Sequence, residues 1–225
     1  MREIVIDTET TGLDYKKGDR IIEVGCVELK NFIPSGKSLQ FYCKPDIEIS
    51  EDAKKITGLS NDFFKDKKTF KENVNSFLDF ISNDRLIIHN APFDLGFINN
   101  ELSLVGLPPL KNEITDTVLL ARQTLNTRIA NLDYLCRRFN VDLSDRSFHG
   151  ALLDSHLLAS VYLELKGGKQ FSIQLDTELP KKEKGLVSNT NKEKTILFEL
   201  DKEDILSHKK MLKKIKNPIW NKFNY

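Results

Sequence analysis

Two short apolar runs, Ile4-Val5-Ile6 and Leu86-Ile87-Ile88, pass without a break into polar motifs, Asp7-Thr8-Glu9-Thr10-Thr11-Gly12 and His89-Asn90-Ala91-Pro92-Phe93-Asp94. Runs of this kind read as buried strands, so the chain must build a sheet and carry acids at the ends of its inner strands. Period-2 alternation places Asp7 and Glu9 on one face of the first strand. Two carboxylates so close repel each other and raise at least one pKa unless a cation sits between them. Hard oxygen ligands on a rigid strand suit Mg2+ or Mn2+, which combine one or two protein carboxylates with water and a substrate phosphate.

The second motif turns into a helix. Pro92 fits a first helical turn, and Phe93, Phe97, Ile98 and Leu102 continue an apolar face at helical spacing. Asp94 therefore lies in the first turns of a core-packed helix, where the helix dipole favours an acid. A third segment, Ser147-Phe148-His149-Gly150-Ala151-Leu152-Leu153-Asp154, opens another helix with Leu153, Leu157, Val161 and Leu165 on its apolar side. On one regular helix His149 and Asp154 would stand roughly 140° apart. Both can serve one site only if His149 belongs to the loop before the helix, with Gly150 permitting the turn. A histidine there can exchange a proton near neutral pH.

Taken in order, D-x-E, a helix-borne Asp in an H-N-A-x-F-D setting, and H-x4-D resemble the motifs of the DEDDh family of 3'–5' exonucleases, and all five positions are filled. The resemblance spans Arg2 to about Gly168 and implies an α/β, RNase H-like mixed sheet flanked by helices. The coarse pattern agrees with that expectation. Strand-like stretches over Glu3 to Asp7, Arg20 to Lys30 and Ser38 to Lys44 suggest an antiparallel meander, and the Leu86 strand follows later. Helical patterns cover Lys68 to Ile81, Pro92 to Leu104, Asp116 to Leu125, Asn131 to Phe139 and Gly150 to Leu165.

Four carboxylates carry about four negative charges, which two divalent cations neutralise. Two such ions can activate a water and stabilise a leaving 3'-oxyanion. The resemblance implies that Asp7 serves both ions, Glu9 and Asp154 complete the tighter site, Asp94 supports the second through water, and His149 is the general base. It also implies nucleoside 5'-monophosphates as products. Thr10, Thr11 and Gly12 follow the acids closely enough for their amides to touch the terminal nucleotide. Asp52 and Thr57 fall where the family contacts that nucleotide, although close relatives usually carry Glu and often His there. With Asp7, Glu9 and Asp154, the residues Thr10, Asp52 and Thr57 form the expected substrate contacts.

The 225 residues, 40% hydrophobic and 9% aromatic, suffice for one full core plus an appendage. No apolar run reaches membrane length and no signal peptide precedes the Ile4 strand, so a cytoplasmic protein is expected. Cys26, Cys43 and Cys136 are too widely spaced for a C-x-x-C motif and read as reduced core thiols. The net charge of +1 divides unevenly: residues 176–225 hold 12 Lys/Arg against 8 Asp/Glu, whereas residues 1–175 hold 22 against 25. An acidic catalytic region does not grip DNA tightly through phosphate neutralisation.

Something else must then bring the strand to it, and the C-terminal quarter is the candidate. Lys166-Gly167-Gly168 stops the last core helix, giving a first domain over residues 1–168. Residues 169–194 read as a flexible linker, polar and lysine-rich from Asp176 onward. Residues 195–225 hold a strand-like Thr195 to Leu200 and a helix from an Asp201 cap to about Ile215. Some thirty residues do not support a core of their own, so the tail is expected to order on a partner. This two-part organisation is similar to that of the epsilon-type proofreading subunits of bacterial DNA polymerase III. It implies DNA 3' ends as substrate and the replicative polymerase catalytic subunit as the tail's partner. Gln170-Phe171-Ser172-Ile173-Gln174-Leu175 resembles a clamp-binding Q-x-x-I-x-L peptide, which would place Gln170, Ile173 and Leu175 on a sliding clamp. A small accessory subunit is a further candidate partner. The alternatives are a freestanding DEDDh exonuclease trimming RNA or short oligonucleotides, against which the tail argues, and a catalytically silent assembly module, against which the complete set of five residues argues.

Overall fold

The computed structural model describes residues 1–144, 148–167 and 201–215. The chain divides into two compact units, Met1–Gln174 and Leu175–Tyr225. In the first, β1 (Arg2–Thr10), β2 (Ile21–Lys30), β3 (Ile33–Tyr42), β4 (Arg85–Ile88) and β5 (Ile114–Asp116) form one sheet in the order β3-β2-β1-β4-β5. β1 pairs antiparallel with β2 and β2 with β3, while β4 lies parallel to β1 and β5 parallel to β4. This is the mixed sheet expected from the motifs. β1 is its central strand, which is why its apolar run is continuous.

The helices are α1 (Glu51–Thr57), α2 (Phe70–Ile81), α3 (Ala91–Leu104), α4 (Thr117–Leu125), α5 (Leu132–Arg138) and α6 (Ala151–Leu165). They cover the sheet on both faces. Ile4 and Ile6 pack with Phe70 and Phe77 of α2 and with Phe97, Ile98 and Leu102 of α3. Val5 packs on the other side with Leu135 and Cys136 of α5 and with Leu157, Leu158, Val161 and Tyr162 of α6. Each fully buried side chain of this size contributes roughly 1.5–3 kcal/mol. The alternation also fixes the site, because Asp7 and Glu9 share the Val5 face and Thr8 the Ile6 face.

Three expectations need correction. β3 begins at Ile33 rather than Ser38, as an edge strand whose first six residues are exposed and so show no alternation. β1 runs on through its acids to Thr10. α6 is buried on most of its circumference, including Ala151, Ser155, Leu158, Ala159 and Tyr162, not on one stripe only. All three cysteines are buried and outside any disulfide, as expected.

Buried ion pairs lock the strand ends to the helices. Arg20 forks onto Glu101 of α3 at 2.7 and 2.8 Å and reaches Asp46 at 2.6 Å, anchoring the start of β2. In the second unit, α7 (Lys202–Leu212) begins at Asp201, whose side chain accepts from the Glu203 amide, so the expected cap is formed. The linker and the strand at Thr195 to Leu200 lie outside the described residues.

Candidate active site

The site grows from the end of β1. Thr8, between the two acids, is buried and donates through Oγ1 to Asp94 Oδ1 at 2.7 Å. Asp94 stands in the first turn of α3, a helix entered through Asn90 at φ 61° with Pro92 in its opening residues. Asp116, at the end of β5, accepts from the backbone amides of Asn90 and Ala91 at 3.3 and 3.2 Å and from Val118 at 2.8 Å. His89 joins the same junction, with Nδ1 2.8 Å from Thr117 Oγ1.

α6 supplies the other half. Gly25 lies opposite Asp7 in the β1–β2 register, and Ser155 Oγ donates to its carbonyl at 3.0 Å. A Cβ on Gly25 would fall 2.2 Å from the Ala151 carbonyl carbon, so only glycine lets the helix start lie on the sheet here. Asp154, one turn in, is thereby buried against the strand. His149 precedes the extended N-cap Gly150, as the sequence requires. Its Nδ1 lies 3.3 Å from Asp154 Oδ2, and its side chain remains about half exposed at 48%. The loop is tied down from α1: the His149 amide donates to the Ile56 carbonyl at 3.0 Å, and the Phe148 ring packs against Gly58.

Glu9, His149 and Asp154 each bring one ligand atom to within 4.8 Å of the others. The Asp7 carboxyl is pushed well above the usual range, first by burial and then by Asp94, Glu9 and Asp154 around it. Burial also pushes Asp94 up to about 7, although the hydrogen bond from Thr8 opposes this. Oxygen donors on rigid elements, with repulsion added to burial, fit a divalent cation, which reverses the balance by neutralising the charges together.

A cleft of about 470 Å3 opens beside Glu9, lined among others by Thr10, Leu13, Asp52, Ile56, Thr57 and Phe93. Of the expected substrate contacts, Thr10 uses its hydroxyl to donate to the Gly12 carbonyl at 2.5 Å. Thr57 is buried and donates back to the Ala53 carbonyl at 2.9 Å, so its hydroxyl serves its own helix. Asp52 is exposed and faces Lys55 at 3.4 Å. Gln170, Ile173 and Leu175 lie outside the described residues. Sequence reasoning missed Thr8 and Gly25; a glycine inside the strand run Ile21-Ile22-Glu23-Val24-Gly25-Cys26 was the available signal for close backbone approach.

Comparison with known proteins bears on this site. Residues 4–162 match the family model described as Exonuclease. DNA polymerase III subunit epsilon of Rickettsia felis is 44% identical over 223 residues, covering 96% of this chain and 97% of that protein. The subunit of the same name from Escherichia coli is 40% identical over 176 residues, 75% of this chain and 72% of that protein. Among solved structures, the nuclease domain of 3'hExo, a DEDDh family member bound to rAMP, superimposes with a TM-score of 0.64 at 20% identity over 74% of this chain and 92% of that one. Exonuclease X in complex with 5' overhanging duplex DNA gives 0.59 at 22% identity over 72% and 90%. These two establish the RNase H-like fold. Enzymes of the DEDDh type use divalent metal ions. With the five motif positions filled and the similarity running nearly end to end, the chain belongs to the exonuclease family and, within it, to the DNA polymerase III epsilon subunits.

Proposed function

We propose that this chain is the proofreading 3'–5' exonuclease of a replicative DNA polymerase, removing mismatched nucleotides from primer ends as nucleoside 5'-monophosphates. The reading is carried by the convergence of Asp7, Glu9, Asp94, His149 and Asp154 at one end of the sheet. Asp7, Glu9, Asp94 and Asp154 would hold two divalent ions, Mg2+ or Mn2+, which activate water and stabilise the leaving 3'-oxyanion.

The protein's own groups do the rest. Asp154 faces His149 Nδ1, which favours the tautomer protonated there, so that Nε2 is the nitrogen that takes a proton from the attacking water. The half-exposed ring sits on a loop anchored at Ile56 and Gly58, so it meets solvent while its backbone stays fixed. Leu13, Ile56 and Phe93 offer apolar walls for the terminal base, and the Thr10 to Gly12 backbone lies at the same cleft for the sugar and phosphate. Asp52 and Thr57 line it from α1.

Mismatch preference needs no base-specific contact. A mispaired terminus costs a few kcal/mol less to unpair and so reaches a single-strand site more often. Residues 195–225 would dock on the polymerase catalytic subunit through a linker spanning residues 169–194, holding the site near the primer end at high effective concentration. Similarity to the Rickettsia felis subunit over 96% of the chain supports a tail of the same kind. Gln170, Ile173 and Leu175 would engage a sliding clamp, and a small accessory subunit is a further partner in this reading. No helix among the described residues is long and apolar enough to cross a membrane.

The test of the chemistry is metal-dependent release of single nucleotides from 3' ends, lost in Asp7→Ala and in His149→Ala. Full activity in both variants would refute the assigned site. For the tail, immobilised residues 196–225 should retain the polymerase catalytic subunit; RNA trimming without polymerase stimulation would point instead to a freestanding enzyme.

A further inference from the structure

We propose that Glu23 is a fifth carboxylate of the active site, a positioning residue whose charge tightens the binding of the divalent ions. The proposal rests on the metal-dependent reading above. Glu23 stands on β2 directly opposite Glu9 in the register, and opposed residues of an antiparallel pair point to the same face. It is 1% exposed. Its Oε2 faces the start of α6, since a Cβ on Gly150 would lie 3.9 Å away. The Asp7 carboxyl feels its charge as well as those of Asp94, Glu9 and Asp154.

The partners of Glu23 distinguish it from the other buried glutamates. Glu3 faces Arg85 at 3.7 Å, Glu28 faces Arg2 at 2.5 Å, and Glu101 faces Arg20 at 2.7 Å. Those three are structural ion pairs. Glu23 instead receives a neutral donor: Gln40 Nε2 donates to its Oε1 at 2.8 Å, and the same nitrogen donates to the Tyr42 hydroxyl at 3.1 Å. Among the described residues no lysine or arginine forms an ion pair with it. A like-charged pair set directly opposite across two strands is destabilising, and a buried carboxylate without a cation is costly. Gln40 fixes the group, and among the described residues no cationic side chain compensates its charge. The compensation available on that face is the cation site formed with Asp7, Glu9 and Asp154.

Glu23→Gln keeps the volume and the acceptor for Gln40 while removing the charge. In the full-length protein, Mn2+ binding followed by electron paramagnetic resonance should weaken roughly 10- to 100-fold, the range for groups that support metal ligands. The metal-free melting temperature should not fall. Activity should be lost at low Mn2+ and recovered at high Mn2+, with kcat near that of the unsubstituted enzyme. Gln40→Leu, which removes the donor and leaves the charge, should weaken Mn2+ binding by a smaller factor. Unchanged Mn2+ affinity in both variants overturns the role of Glu23 while leaving the metal site intact. Failure of the unsubstituted protein to bind Mn2+ overturns both readings.

Discussion

Gly25 stands opposite Asp7 across the β1–β2 ladder, and the first turn of α6 occupies the place its side chain would take, 2.2 Å from a Cβ to the Ala151 carbonyl carbon. One missing methyl group thus lets a helix carrying Asp154 settle beside a strand carrying Asp7. The acids belong to different elements, and glycine sets the distance between them.

Gly25→Ala should therefore damage both stability and catalysis. The clash is with backbone, which cannot rotate away, so the substitution costs about 1–3 kcal/mol as overpacking. Lifting α6 by about 1 Å should reduce nucleotide release on the order of 10²-fold. Thermal melts and 3'-end digestion check the two effects, and a wild-type rate would contradict this role for Gly25.

Thr8→Val removes the hydroxyl that donates to Asp94 at 2.7 Å. Leaving that buried carboxylate one donor short costs about 1–3 kcal/mol and raises its pKa further. Relative to the unsubstituted protein, Mn2+ binding by the variant should be weakened at neutral pH and below, and recover toward alkaline pH. Titrations of both proteins across that range measure the difference; parallel curves would show that Thr8 does not act on Asp94.

The metal-free protein should carry a pH signature from Asp94, raised by burial from an ordinary 3.8 to about 7. Between these values the native state holds more protons than the unfolded chain, so this contribution is full below the unfolded pKa and is lost as pH rises through the folded one. Asp7, also raised, acts with the same sign. In chelator, Asp94→Asn should melt several degrees above the unsubstituted protein at alkaline pH and close to it near pH 4. Added Mg2+ or Mn2+ should narrow the gap by stabilising the unsubstituted protein more than the variant, which keeps the tighter site of Asp7, Glu9 and Asp154.

Gly58→Ala tests the anchor of the His149 loop. Gly58 sits at φ +70°, and its Cβ would fall 2.9 Å from the Phe148 ring. Strain of about 1–3 kcal/mol and displacement of Phe148 should shift the neighbouring His149. The expected result is a fall in kcat with little change in KM, because the ring that accepts the proton moves while the cleft does not. An unchanged kcat would show that the loop is held by other contacts.

The acids and the histidine were legible because each follows a strong local signal: an apolar strand run before Asp7 and before His89, and a glycine before the helix of Asp154. The order of motifs then carried the fold. What escaped depends on partners distant in sequence. β5 has only three residues, Ile114–Asp116, too few for any period. α1 has seven, although its cap is well formed, with Ser50 accepting from the Ala53 amide. Thr8, Gly25 and Glu23 take their roles from what crosses them: α3, the start of α6, and Glu9 on the neighbouring strand. Only the glycine inside the β2 run signals one of those approaches locally; no pattern encodes the other two.

The decisive experiment is digestion of 3'-labelled matched, mismatched and single-stranded DNA with Mg2+, with and without the polymerase catalytic subunit, and with Asp7→Ala as the control. Single nucleotides should leave mismatched and single-stranded ends faster than matched ends, the polymerase subunit should accelerate the release, and Asp7→Ala should abolish it. Equal rates on matched and mismatched ends, or activity surviving in Asp7→Ala, would contradict a metal-dependent proofreading exonuclease built on these residues.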